Sequence, residues 1–214
     1  MILNINPALI DSLYWITLVA VIVSSVSAVL KAGFKQLDLF GVIIIAIATG
    51  LGGGSLRDLL LDREVFWIRD QIFFIASLVS AIVIFLAARM IKISPKFFLI
   101  PDAAGLATFG IAGTLVSLML GTPWLVASFM GVMTGIVGGI FRDILCNEQP
   151  VVFHGPLYAT VSWLGCIFFI VLIYLSFNVT LAAVLAGLSI FIARLLALQY
   201  DLRLPKFRFK SDDN

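Results

Sequence analysis

Long stretches without a formal charge limit what this chain can fold into. None occurs from Ser12 to Leu30, from Leu39 to Leu56, or from Gln71 to Ala88. Each stretch is about one membrane span, which takes roughly 20 apolar residues as a helix. Two further stretches, Ala103 to Phe141 and Gln149 to Ala193, are each roughly twice that length. Gly121-Thr122-Pro123 divides the first and Ser176-Phe177-Asn178 the second. The pattern predicts seven helices, over about 9–30, 39–61, 71–91, 102–120, 124–146, 157–176 and 178–198. All seven prolines fall outside or at the ends of these spans, as the lost backbone hydrogen bond requires.

Composition decides where these helices live. Hydrophobic residues make up 62% of the chain and charged residues 12%, against roughly 45–50% and 25% in soluble domains. This excludes a soluble enzyme, a secreted disulfide scaffold and a disordered segment. A net charge of +2 gives a nucleic-acid partner no electrostatic support. Cys146 and Cys166 lie in apolar surroundings and read as small core residues. The N-terminus has no basic region before its first apolar run, and that run is of full span length. No cleavable signal peptide is therefore expected.

Basic residues set the expected orientation. With seven spans, one set of helix ends holds Lys31, Lys35, Arg89, Lys92, Lys96, Arg142, Arg194, Arg203, Lys206, Arg208 and Lys210. The other set holds Arg57, Arg63 and Arg69. The positive-inside rule then predicts a multi-pass cell-membrane protein with the N-terminus outside and the C-terminus cytoplasmic.

A repeated motif organises the chain. Gly50-Leu-Gly-Gly-Gly-Ser-Leu-Arg57-Asp58-Leu-Leu60 matches Gly135-Ile-Val-Gly-Gly-Ile-Phe-Arg142-Asp143-Ile-Leu145 at six of eleven positions, at an ungapped offset of 85. The same offset carries Asp38 to Pro123 and Gln71 to Pro156, which are span boundaries. The expected fold is thus an all-α integral membrane protein of two three-helix repeats, over 9–91 and 102–176, plus an extra helix over 178–198. These form one membrane domain over 1–200, followed by a basic cytoplasmic tail over 201–214. Three helices per repeat is an odd number, so the second copy enters the membrane inverted.

The glycines carry two readings. Gly52, Gly53 and Gly54 weaken the second span, so it is expected to kink or unwind there, with Gly138 and Gly139 forming a milder break. Carbonyls of Thr49, Gly50 and Leu51 would then be free, and Thr49 and Gly50 become candidate transient ligands for a monovalent cation. Ser55, with Asp58 three residues on, could cap the half-helix that follows. Against this, Gly50 with Gly54, Gly131 with Gly135, and Gly135 with Gly139 all fit the small-residue spacing of close helix contact.

Charges inside spans are costly unless paired or wet. Adjacent residues on a helix point about 100° apart, so Arg57-Asp58 and Arg142-Asp143 are each expected to reach another helix or an aqueous vestibule rather than each other. Asp102, just after Pro101, suits a helix N-terminus. Thr49, Ser55, Thr108, Thr114, Ser117, Ser128 and Thr134 are candidate polar linings. His154 has no metal-ligand partner in the sequence, no catalytic constellation is present, and no cofactor is expected.

The doubled Gly-Gly-x-x-Arg-Asp motif, with three helices around each copy and a seventh helix, resembles the prokaryotic TRIC family, the trimeric intracellular cation channels. The resemblance covers nearly the whole chain. It implies a homotrimer embedded in membrane lipid, with one path per subunit for potassium and also sodium, lined by the second and fifth spans at their glycines. The residues themselves leave open a carrier for a small zwitterion such as glycine. Two departures stand out. Ile16 to Ala28 lacks the glycines and acid found in the corresponding helix of the second copy, and Val137 stands opposite Gly52.

Overall fold

The computed structural model describes residues 7–90, 92 and 94–205. The tail from residue 206 onward, with Lys206, Arg208 and Lys210, lies outside the described residues. The described elements are all helical. The long ones are α1 (Pro7–Ala32), α2 (Leu39–Leu60), α4 (Ile72–Ala88), α5 (Leu99–Met119), α6 (Trp124–Leu145), α8 (Ala159–Tyr174) and α9 (Val179–Gln199). Two four-residue helices, α3 (Phe66–Arg69) and α7 (Val151–His154), follow α2 and α6. Five of the long helices are long and apolar enough to cross a membrane, while α4 and α8, of 17 and 16 residues, are shorter.

The helix ends follow from local chemistry. Asp38 caps α2 by accepting the Gly41 N–H at 2.7 Å, and Asn178 caps α9 by accepting from Thr180 and Leu181. Pro101 falls in the first turn of α5, where its missing N–H costs nothing. The carboxyl ends of α2 and α6 are built alike. Asp62 and Asn147 turn left-handed, at φ 50° and 54°. The next residue's N–H then reaches back to a carbonyl, Arg63 to Asp58 at 3.0 Å and Glu148 to Asp143 at 2.9 Å. This is a Schellman closure, with aspartate and asparagine standing where glycine is usual.

The bounds of α2 and α6 are separated by 85 residues at both ends, and so are those of α3 and α7. The motif offset is therefore also an offset of structure.

Helix α5 is the centre of the molecule. Fourteen of its 21 residues are buried, and it packs against α1, α6, α8 and α9. One apolar cluster joins α5 to α8 and α9 through Leu106, Ile111, Phe169 and Ile190. A second joins α1, α2 and α4 through Val29, Val42 and Ala81. Val83 on α4, Leu164 on α8 and Leu188 on α9 stay exposed, as apolar side chains facing lipid do. Cys146 and Cys166 are both buried and free.

Candidate functional site

Helices α2 and α6 meet through their glycines. A Cβ at Gly53 would collide with the carbonyl oxygen of Thr134, and one at Gly138 with that of Thr49. The two contacts are reciprocal, because Gly53 and Gly138, and likewise Thr49 and Thr134, occupy equivalent motif positions. Flanking glycines receive side chains instead. Gly52 lies under the Phe141 ring and Gly54 under that of Phe66.

Of the kink or unwinding expected at these glycines, unwinding is not found. Helix α2 runs unbroken from Leu39 to Leu60, and α6 from Trp124 to Leu145. The glycines' cost in helix propensity is offset by a backbone approach that no other residue allows. The Thr49 carbonyl abuts Gly138 and is not released. Ser55 is not a cap. It lies inside α2, donates to the Leu51 carbonyl at 2.8 Å and accepts the Trp67 indole N–H at 2.8 Å. Thr49, Thr108, Thr114, Ser117, Ser128 and Thr134 likewise each donate to a carbonyl of their own helix, so as donors they are committed locally.

At the carboxyl end of each motif sits an Arg-Asp centre. Arg57 Nε donates to Asp58 Oδ1 at 2.8 Å, and Arg142 Nε to Asp143 Oδ1 at 2.8 Å. Each pair is thus bonded within itself, which the sequence reading did not expect, while Arg142 and Asp143 also reach other helices, as it did expect. The 100° separates the Cβ directions, but an arginine side chain is long enough to curl back to its neighbour's carboxylate. Each aspartate's second oxygen accepts an N–H eight residues on, from Phe66 to Asp58 and from Val151 to Asp143, both at 2.9 Å. The short helices α3 and α7 are pinned in this way. All four charged side chains are buried, so the carboxylates form ion pairs rather than lining an open vestibule.

The two centres differ in what surrounds them. Around Arg142, Nη1 donates to Asp102 Oδ1 and to Ser27 Oγ. The Tyr158 hydroxyl donates to the same Asp102 oxygen at 3.2 Å. Asp102 lies in the first turn of α5, as expected, and is also an ion-pair partner. Lys31 Nζ lies 2.7 Å from Asp143 and 2.9 Å from Glu148, which also meets Lys35 at 2.6 Å. Glu148 lies beyond α6. The Lys35 hydrogen bond, helped by Lys31 and opposed by desolvation, holds its carboxyl below the usual range. Around Arg57 the neighbours are Arg63, 3.6 Å from Asp58, and the Phe66 ring, 5.8 Å away.

A small polar cavity of about 10 Å³ adjoins the glycine contact, bounded by Ser24, Ser27, Thr49, Asp102, Gly138, Gly139 and Arg142 among others. That volume suits one water-sized particle. Asp102 Oδ2 is buried and has no partner among the described residues.

The sequence reading missed Lys31, Ser27, Glu148 and Tyr158 as members of the Arg142 centre, and Asp102 as its acid. One signal was present. Asp102 and Arg142 lie equally far from Thr122, in the turn between α5 and α6, so an antiparallel hairpin brings them to one level.

Comparison with known proteins decides the family. A family model described as glycine transporter matches the chain twice, over residues 14–89 and 99–174. The chain is 31% identical to the TRIC trimeric intracellular cation channel orthologue from Rhodobacter sphaeroides. The TM-score is 0.84, with 89% of this chain and 98% of that one covered. The chain belongs to the TRIC family. A second TRIC structure, of a prokaryotic channel in 0.5 M KCl, superposes at a TM-score of 0.81 with 27% identity, covering 90% of this chain and 98% of that one. Among proteins known by sequence, the chain is 35% identical over 198 residues to the UPF0126 inner membrane protein YadS of Escherichia coli K12, covering 91% of this chain and 95% of that protein. A UPF0126 membrane protein of Vibrio cholerae is also 35% identical, over 197 residues, with 91% of this chain and 82% of that one covered. This TRIC-family chain is a multi-pass membrane protein with the TRIC fold, and it is not an enzyme.

Proposed function

We propose that this TRIC-family chain is a monovalent-cation channel, passing potassium and also sodium, that assembles as a homotrimer with one path inside each subunit. The path runs between α2 and α6, through Gly52, Gly53, Gly54, Gly138 and Gly139. The observation that carries the reading is the polar cavity beside the glycine contact, lined by Asp102, which has one unpartnered oxygen, by Thr49 and by three glycines. In the arrangement described, the reciprocal glycine–carbonyl contacts close the path. Conduction follows when α2 and α6 separate there, so that carbonyls near Thr49, Gly50 and Thr134 face a partly dehydrated cation. The likeness to solved cation channels supports the reading at the level of the fold.

In the same proposal all seven long helices span the bilayer. Seventeen residues of α4 reach about 26 Å and the sixteen of α8 about 24 Å, against a hydrocarbon core of roughly 30 Å. The second three-helix unit is then inverted relative to the first. Arg57 lies toward the outside and Arg142 toward the cytoplasm, which fits the excess of basic residues at the Arg142 end.

Planar-bilayer recording of the purified protein tests the function. Discrete single-channel steps in potassium chloride are expected. Silence in the bilayer together with saturable glycine uptake into liposomes would replace the channel with a carrier.

A further inference from the structure

The two Arg-Asp centres differ at one nitrogen. Arg142 Nη1 donates to the Asp102 carboxylate and to Ser27. Arg57 Nη1 has no partner among the described residues, although the atom is buried and the side chain only 2% exposed. An unpaired guanidinium donor in such a place is costly.

The internal offset explains the difference. Thr17 stands where Asp102 stands in the other centre, and its hydroxyl is committed to the Leu13 carbonyl at 2.7 Å. Ala112 replaces Ser27, and Val116 replaces Lys31. In place of that carboxylate there is a cavity of about 460 Å³, bordered by Thr17 and Val116.

The charges around this cavity favour an anion. Arg57, Arg63 and Arg69 all line it, with Asp70. The nearby Asp58 has one oxygen facing Arg57 and Arg63 and the other on the Phe66 N–H. Three cations against two carboxylates leaves a positive excess. The rest of the wall is largely apolar, with Leu13, Phe66 and Phe73 facing the space.

We propose that this cavity binds a small organic carboxylate. Its carboxylate accepts from Arg57 Nη1, as Asp102 does from Arg142. Arg63 and Arg69 complete the charge, and the apolar wall takes a short hydrocarbon tail. Guanidinium groups suit planar oxyanions, and the sister centre provides a carboxylate as the template. Occupancy of the cavity is read without reference to conduction.

Calorimetric titration of the purified protein in detergent with butyrate tests this, with butyramide and inorganic phosphate as comparison ligands. Saturable butyrate binding is expected, with butyramide weaker by roughly tenfold or more, as loss of a charged hydrogen bond implies. Phosphate should bind more weakly than butyrate. Thr17→Asp supplies a carboxylate from the chain itself. It should unfold no lower than the parent and lose butyrate affinity by at least about tenfold. Arg69→Gln, at an exposed position, should weaken butyrate binding several-fold and keep the proposal testable if Thr17→Asp does not fold. The proposal is overturned if butyrate does not saturate, if butyramide or phosphate binds equally well, or if affinity is unchanged in the folded variants.

Discussion

Gly53 and Gly138 are the residues where an added methyl group has nowhere to go, because a backbone carbonyl fills the space on each. Gly53→Ala and Gly138→Ala should each lower stability by about 1–3 kcal/mol, the range for overpacked cores. Gly33→Ala should be close to neutral, since nothing lies within 4 Å of the position. Thermal unfolding in detergent would show it, and equal midpoints for all three variants would refute the close packing of α2 on α6. Asp102 offers a second test. Removing one partner of a buried ion pair costs about 3–5 kcal/mol. Asp102→Asn should fall at the low end of that range, because Arg142 keeps Asp143. A loss below about 1 kcal/mol would mean that Asp102 contributes little to holding Arg142. Asp58→Asn and Asp143→Asn remove charge from pairs that are themselves buried. Both are expected to weaken the fold first, with any change in current secondary to that.

At the scale of elements, the long helices were largely legible in the sequence. Charges cannot stand free in lipid, so the gaps between them mark where helices begin and end. The span expected over 39–61 is α2 at Leu39–Leu60, and that over 124–146 is α6 at Trp124–Leu145. The helices α3 and α7 were not legible, because four residues are too few to show a period. Their shared position behind each motif was the one available clue. The unwinding expected at Gly52–Gly54 failed for a different reason. Propensity is a local quantity, whereas the contact that accompanies an unbroken α2 comes from α6, at an offset of 85 residues. The ion pairs were only half legible. The sequence gives the charges but not the rotamers or the helix rotations that pair them. The segment joining α6 to α7 makes one pH-dependent contribution. Glu148 is held below its ordinary value of 4.5 by Lys35, then Lys31. A depressed carboxylate stabilises the fold fully above its unfolded value, and this contribution is lost as pH falls through the folded one. The stability gap between the parent and Glu148→Gln should therefore be present at about pH 6 and narrow as pH falls below the ordinary value of 4.5. A gap unchanged across that window would show that the bridge to Lys35 and Lys31 does not contribute.

For the whole molecule, orientation is the property on which the side of each centre depends. Asp62 and Asp201 are exposed and belong to opposite ends in the proposed topology. With Cys146 and Cys166 buried, cysteine placed at either position becomes the reactive thiol. Asp62→Cys should react with an impermeant maleimide in intact cells, and Asp201→Cys only after permeabilisation. The opposite pattern would invert the molecule and exchange the sides of the two Arg-Asp centres. The helix seam also bears on how such a protein can change over generations. Gly52 faces an aromatic ring, so a bulkier residue there can be relieved by a second-site suppressor that trims Phe141. Gly53 faces the peptide oxygen of Thr134, and no codon removes a peptide oxygen. Genetic selection on a Gly52→Val strain should return suppressors at Phe141. Selection on Gly53→Val should return mainly true revertants. The reciprocal contact is thus a pair of positions where drift has almost no compensating route.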